Sequence, residues 1–129
     1  MGAKPPLSPL APASFPDLPH VAGVRFATAQ AGVRYKGRED VMLAVLAPGT
    51  AMAGAFTRSA TRSSAVLDCQ KKIGQHSDDG AAILVNSGNA NAFTGRHGEA
   101  SVKAVTEATA KALNLPESRI FTSSTGVIG

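Results

Sequence analysis

The stretch AAILVNSGNANAFTG, residues 81–95, decides the fold because an apolar strand pattern runs directly into a polar segment. Residues 82–85 are apolar at every position, which is typical of a strand covered on both faces. The segment that follows carries Asn86, Asn89 and Asn91, and a helix pattern comes next. The stretch therefore predicts a strand, a polar loop and a helix, an order found in α/β proteins.

The clearest helix pattern covers residues 99–113. Glu107 stands four residues before Lys111, the favourable order for an ion pair within a helix. Asn114 and Pro116 are residues that commonly end a helix. The side chains predicted to share the buried face are those of Val102, Val105, Ala108, Ala112 and Leu113.

Strand patterns in the rest of the chain complete a predicted mixed sheet. Residues 22–26 and 31–35 repeat one another and predict a hairpin. Residues 41–46, 51–57 and 119–123 predict three more strands, and Ser63 and Ser64 can cap a helix over residues 65–72. The predicted fold class is α/β, a layered mixed sheet with flanking helices.

Length and composition indicate one globular domain preceded by an arm. The chain has 129 residues, 43% hydrophobic and 17% charged. Six of its eight prolines fall within the first 19 residues. Because proline cannot donate to a sheet ladder, residues 1–19 are predicted to form an extended Pro-rich arm, with the α/β portion in residues 20–129.

Several function classes are disfavoured by the sequence. The net charge is +4, but the basic residues are scattered and aromatic residues are only 5%, so we expect no nucleic-acid partner. No apolar run reaches the length of about 18 residues that spans a bilayer, so no membrane is expected either. A single cysteine, Cys69, excludes an internal disulfide, fits the cytoplasm and is interpreted as a packing residue. His20, His76 and His97 have no metal-ligand spacing, so no metal is expected.

Two polar segments are candidates for chemistry. Thr125 and Gly126 offer a hydroxyl and an unhindered N–H that can donate to a developing oxyanion, but the residue types alone favour an ordinary Ser/Thr turn or a helix cap. In the other segment, Asn86, Asn89 and Asn91 can hydrogen-bond their own backbone or a substrate, and their residue types favour the backbone.

Three segments carry a resemblance to a known family. AGAFTRSATRSSAV, ILVNSGNANAFTG and SSTGVIG resemble the ornithine acetyltransferases, the bifunctional glutamate N-acetyltransferases of arginine biosynthesis. The resemblance runs from residue 21 to residue 129. Phe93 departs from the family pattern, in which many members have Cys.

The resemblance implies transfer of an acetyl group from N-acetylornithine to glutamate, and in some members from acetyl-CoA, without a cofactor. It implies self-cleavage before a threonine, whose new α-amine serves as base to the adjacent hydroxyl. Thr125 and Gly126 match the family's oxyanion pair, and the Asn segment is then expected to stiffen the wall beside the site.

The same resemblance implies an α2β2 assembly and places the nucleophile downstream of this chain. We therefore expect an incomplete domain, truncated at Gly129 and inactive alone, with the remainder of the α chain and the β chain as partners. Two alternatives stay open, a non-enzymatic small-molecule or anion-binding α/β module and an interaction domain completed by another protein.

Overall fold

The computed structural model describes residues 6–128, which contain a four-stranded mixed sheet with two α-helices. The strand order is β1-β2-β3-β4, with the first two pairings antiparallel and the β3–β4 pairing parallel. The predicted α/β class is therefore confirmed. The elements are β1 Val24–Ala29, β2 Val41–Leu46, α1 Ser64–Lys72, β3 Ala81–Asn89, α2 Gly95–Leu113, a 3-10 turn Glu117–Arg119 and β4 Ile120–Val127.

The predicted Pro-rich arm lies partly outside the described residues, since residues 1–5 and Gly129 are not among them. Residues 6–20 carry no strand or helix and are exposed. Four large apolar side chains of this segment are more than 80% exposed, namely Leu7, Leu10, Phe15 and Leu18.

The predicted hairpin of residues 22–26 with 31–35 is wrong, because β1 pairs with β2 instead. The intervening loop is held by the buried side chain of Asp40, whose carboxylate accepts hydrogen bonds from the N–H groups of Ala31 (2.7 Å) and Val33 (2.6 Å). These two bonds give the N–H groups of Ala31 and Val33 an acceptor, although the loop pairs with no strand.

Replacing Asp40 by Ala is expected to lower the free energy of unfolding by about 2 kcal/mol, because two backbone donors lose their acceptor. Urea unfolding of the 129-residue chain measures the change. Glu39→Gln is the matched control, since this neighbouring acid is exposed and its replacement should change the stability by less than about 0.5 kcal/mol. Equal stabilities of the two variants would contradict the role of Asp40.

Residues 51–57 form no strand, contrary to prediction. Two of their side chains, Met52 and Phe56, pack instead against a core cluster of Cys69, Ala81 and Phe121. The apolar pattern of this segment therefore reflects burial of a loop on one face of the sheet.

Helix α1 forms as predicted, and Ser63 caps it by accepting a hydrogen bond from the Val66 N–H. The helix covers the outer edge of β4, where Cys69 Sγ donates to the Thr122 carbonyl (3.3 Å) and Lys72 Nζ to the Ile120 carbonyl (3.2 Å). Burial raises the pKa of the Cys69 thiol, which keeps it protonated at neutral pH. The interpretation of Cys69 as a packing residue is confirmed.

Helix α2 begins four residues earlier than predicted and ends as predicted at Asn114, which adopts the left-handed conformation. Its buried face differs from the predicted one: the buried residues are Gly98, Val102, Thr106, Thr109 and Ala110, whereas Val105, Ala108 and Ala112 are exposed. The threonines are tolerated because their hydroxyls donate to carbonyls of their own helix. Glu107 pairs with Lys103 (3.7 Å) rather than with Lys111.

Strands β3 and β4 both continue into the segments that were predicted to be loops. Their parallel register extends from Ala82 opposite Ile120 to Asn89 opposite Val127. The residues at positions 86–89 and 123–126 therefore lie in neighbouring strands and alternate between the two faces of the sheet.

Candidate functional site

Thr125 and Gly126 lie near the carboxyl end of β4, in register with Ser87 and Gly88 of β3. Both are exposed. Their placement in a strand shows that the alternative of a Ser/Thr turn or a truncated helix cap is wrong. The two residues are thus consecutive in the strand at an exposed position.

The N–H of Gly126 points to the outer edge of β4. In a parallel pair, alternate residues direct their backbone groups to opposite sides of the strand. The Val127 carbonyl accepts from the Ala90 N–H at the end of β3, whereas the Ile120 and Thr122 carbonyls face α1 on the outer side. Because residues 120, 122, 124 and 126 direct their backbone groups to the same side, the N–H of Gly126 lies on the outer side of β4. It is farther along the strand than the two carbonyls that α1 covers.

The backbone at position 126 requires glycine for two reasons. Its φ of +137° lies in a region that side-chain-bearing residues rarely adopt. A Cβ there would also collide with the β3 backbone, lying 2.6 Å from the Gly88 oxygen and 2.7 Å from the Asn89 nitrogen. The main chain can therefore approach β3 closely only because no side chain is present.

A cavity of about 480 Å³ lies between α2 and the sheet. Ser124 lines this cavity, so strand alternation directs the Thr125 side chain to the opposite face. The cavity and the predicted oxyanion pair are consequently not parts of one pocket. The apolar part of the cavity wall is formed by Ala31, Val33, Val41, Leu84, Val102 and Val105.

The three asparagines line the same cavity but are largely bonded within the protein. Asn86 Nδ2 donates to the Asn89 carbonyl (3.0 Å), and Asn89 Oδ1 accepts from the Asn91 N–H (2.7 Å). Asn91 has a φ of +51°, and its Oδ1 accepts from Thr94 Oγ1 (2.7 Å). The prediction that these side chains bond their own backbone is confirmed for Asn86 and Asn89, whereas the Asn91 side chain bonds Thr94 and the Gly98 carbonyl of α2.

A further hydrogen bond of Asn86 joins β3 to the end of β4 that carries the candidate pair. Ser124 Oγ donates to Asn86 Oδ1 across the two strands (2.6 Å). Because Ser124 immediately precedes Thr125, this bond restrains the backbone beside the predicted donors. This bond lies on the face of the sheet opposite the Thr125 side chain, and the expected stiffening of the site by the Asn segment stays a prediction.

Sequence reasoning missed the buried Arg119, which supports the beginning of β4. This guanidinium donates to the carbonyls of Gly80 (Nε, 3.1 Å), Thr50 (Nη2, 2.6 Å) and Asp79 (Nη2, 3.4 Å). The three acceptors belong to two loops, so one side chain clamps both loops to β4. A lone arginine in a strand pattern gives no signal for such a role, because its partners lie far away in the sequence.

Over residues 6–128, no three side chains of His, Cys, Asp or Glu come together in a way that could hold a metal ion. No helix within this range has the length and apolarity needed to cross a membrane.

Comparison with known proteins gives a consistent set of relatives. A family model described as "ArgJ family" matches residues 25–129. The chain is 68% identical over 123 residues to the arginine biosynthesis bifunctional protein ArgJ of Ruegeria pomeroyi, covering 95% of this chain and 30% of that protein. It is 54% identical over 125 residues to the protein of the same name from Nitrobacter winogradskyi, again covering 95% of this chain and 30% of the relative.

Two solved structures share the fold. The arginine biosynthesis bifunctional protein argJ of Bacillus halodurans matches with a TM-score of 0.74 and 28% identity, over 84% of this chain and 56% of that one. Ornithine acetyltransferase of Mycobacterium tuberculosis, solved in complex with ornithine, matches with a TM-score of 0.75 and 36% identity, over 84% and 58%. The chain spans about 30% of the length of the curated relatives it matches.

Proposed function

This chain belongs to the ArgJ family of arginine biosynthesis acetyltransferases, and we propose that it forms the amino-terminal part of an enzyme that moves an acetyl group from N-acetylornithine to glutamate. Support for an ornithine-type substrate comes from the Mycobacterium tuberculosis neighbour, which was solved with ornithine. The observation that carries the catalytic part of the proposal is the exposed pair Thr125 and Gly126, with the Gly126 N–H on an uncovered strand edge.

The proposed role of this pair is to stabilise negative charge on the acetyl carbonyl oxygen. When a nucleophile attacks the carbonyl carbon, that oxygen becomes an oxyanion, and two prealigned donors lower the energy of the transition state. The Thr125 hydroxyl and the Gly126 N–H are the two donors. The glycine requirement at position 126 fits a main chain that must hold one fixed conformation.

The nucleophile is proposed to be an N-terminal threonine released by self-cleavage in a part of the enzyme that lies outside this chain. Its hydroxyl attacks the acetyl carbonyl, its α-amine takes the hydroxyl proton, and ornithine leaves with a proton on its amine. The neutral amine of glutamate then attacks the resulting ester, the carbon–oxygen bond to threonine breaks, and the threonine oxygen takes up the proton that the amine loses through the α-amine. N-acetylglutamate and the free threonine are the products.

The partners that the family resemblance implies are part of the proposal. They are the remainder of the α chain and a β chain in an α2β2 assembly within the cytoplasm. Acetyl-CoA is a proposed second acetyl donor, which would act as a substrate and not as a cofactor. The 129-residue chain alone is proposed to be inactive.

A chimera tests the proposed function. Residues 25–129 of this chain replace the matching segment of the Ruegeria pomeroyi protein, which is a suitable host at 68% identity. The chimera should transfer acetyl from N-acetylornithine to glutamate, whereas the 129-residue chain should not. A chimera that unfolds at the temperature of its parent but transfers no acetyl would contradict the proposal.

A further inference from the structure

Gly88 of β3 is the register partner of Gly126 and shares its unusual backbone conformation. The φ angles of Gly88 and Gly126 are +113° and +137°, in a region that side-chain-bearing residues rarely adopt. Gly88 is buried, whereas Gly126 is exposed. Two glycines that face each other across a parallel pair of strands are therefore both held in conformations that favour glycine.

Gly88 lies between Gly126 and the loop that follows β1. On the side of its α-carbon, a Cβ would lie 3.0 Å from the Arg34 Cβ and 3.4 Å from the Arg34 nitrogen. On the side of its carbonyl, the peptide group that joins Gly88 to Asn89 lies against the α-carbon of Gly126. A Cβ at Gly126 would lie 2.6 Å from the Gly88 oxygen and 2.7 Å from the Asn89 nitrogen. Movement of the Gly88 backbone away from Arg34 therefore displaces the peptide group against which Gly126 packs.

The two strands resist sliding past each other, because hydrogen bonds join them on both sides of the glycine pair. Before the pair, Ser124 Oγ donates to Asn86 Oδ1 (2.6 Å). After the pair, the Ala90 N–H donates to the Val127 carbonyl (2.8 Å). A displacement of the β3 glycine is consequently passed to its partner on β4 and is not relieved by a shift in register.

We propose that Gly88 is a positioning residue that sets the direction of the Gly126 N–H towards the oxyanion, an inference that rests on the proposed function. A hydrogen bond weakens steeply as its donor turns away from the acceptor. A misplacement of about 1 Å can cost up to about 100-fold in rate. Gly88 does not touch the substrate in this proposal, and it acts only through the backbone of β4.

The kinetics of the active chimera test this role. Gly88→Ala should lower kcat for transfer from N-acetylornithine to glutamate about tenfold and change KM less than about twofold, because a bond that is strong only in the transition state is weakened. Gly74→Ala is the matched control. Gly74 has a φ of +84°, but a Cβ there would meet no atom within 4 Å, and it follows α1 at the end that lies beside the beginning of β4. Its replacement should leave both constants within about twofold of the parent.

A transition-state analogue gives a readout that a general loss of stability would not change. In the methylphosphonamidate analogue of N-acetylornithine, a tetrahedral phosphorus that carries a negative oxygen replaces the acetyl carbonyl carbon. Gly88→Ala should weaken inhibition by this analogue about tenfold, in parallel with kcat. Inhibition by ornithine, which has no such oxygen, should stay unchanged.

A second pair of variants serves if the Gly88→Ala chimera does not fold. Arg34→Gly removes the Cβ that packs on Gly88 and should lower kcat about threefold at an unchanged KM, since Gly88 loses part of its support. Arg34→Ala keeps that Cβ and should match the parent.

Transfer by the unmodified chimera tests the proposed function itself, and an inactive chimera overturns both proposals. In an active chimera, a folded Gly88→Ala variant that retains the kcat of the parent, or its inhibition by the phosphonamidate, overturns the role of Gly88. If that variant does not fold, equal kcat values for Arg34→Gly and Arg34→Ala overturn it. Either result leaves the proposed function intact.

Discussion

Replacing Arg119 by Ala is expected to lower the free energy of unfolding of the 129-residue chain by about 3 kcal/mol. The side chain is 3% exposed and its guanidinium donates to three backbone carbonyls. Truncation leaves these acceptors without their donor and opens a gap where the arginine stem was packed. Urea denaturation of both proteins gives the difference from the transition midpoint and the slope.

Two further variants distinguish the loss of the hydrogen bonds of Arg119 from the general effect of removing an arginine. Arg58→Ala removes an exposed arginine and should change stability by less than about 0.5 kcal/mol. Arg119→Lys keeps a charged donor but not the planar fork, so its loss should fall between those of Arg119→Ala and Arg58→Ala. A loss below about 1 kcal/mol for Arg119→Ala would show that the clamp contributes little to stability.

Elements with local signals could be predicted from the sequence. Strand β2 has the bounds that its apolar run indicates, and α1 begins at the predicted serine cap. The end of α2 at Asn114 also follows from a residue type that adopts left-handed backbone. In each case the deciding interaction lies within a few residues of the element.

Features that depend on distant partners could not be predicted in the same way. Polar residues 86–89 and 124–126 indicate loops locally, but parallel pairing between two segments about 38 residues apart keeps them in strands. The hairpin prediction failed because the Asp40 carboxylate, and not a second strand, accepts the hydrogen bonds of two N–H groups in the loop. For the candidate site, residue types made Thr125 and Gly126 candidates and a resemblance in sequence favoured them, whereas the approach of Arg34 to Gly88 is visible only in the fold.

The second large effect is expected at Thr125, where substitution by Ala in the active chimera should lower kcat by about 100- to 1,000-fold. The hydroxyl is proposed to donate to an oxygen that gains negative charge only as the nucleophile attacks, so KM should change much less than kcat. Steady-state transfer of acetyl from N-acetylornithine to glutamate measures both constants.

Matched variants distinguish the proposed oxyanion donor from a disturbance of the strand. Ser123→Ala removes another exposed hydroxyl on the same face of β4, two residues earlier, and should leave kcat within about twofold of the parent. Thr125→Ser retains the hydroxyl and should keep most of the activity. Because Thr125 is exposed, none of the three substitutions should shift the melting temperature by more than a few degrees. Equal kcat values for Thr125→Ala and Ser123→Ala in folded chimeras would mean that the hydroxyl at position 125 does not stabilise the oxyanion.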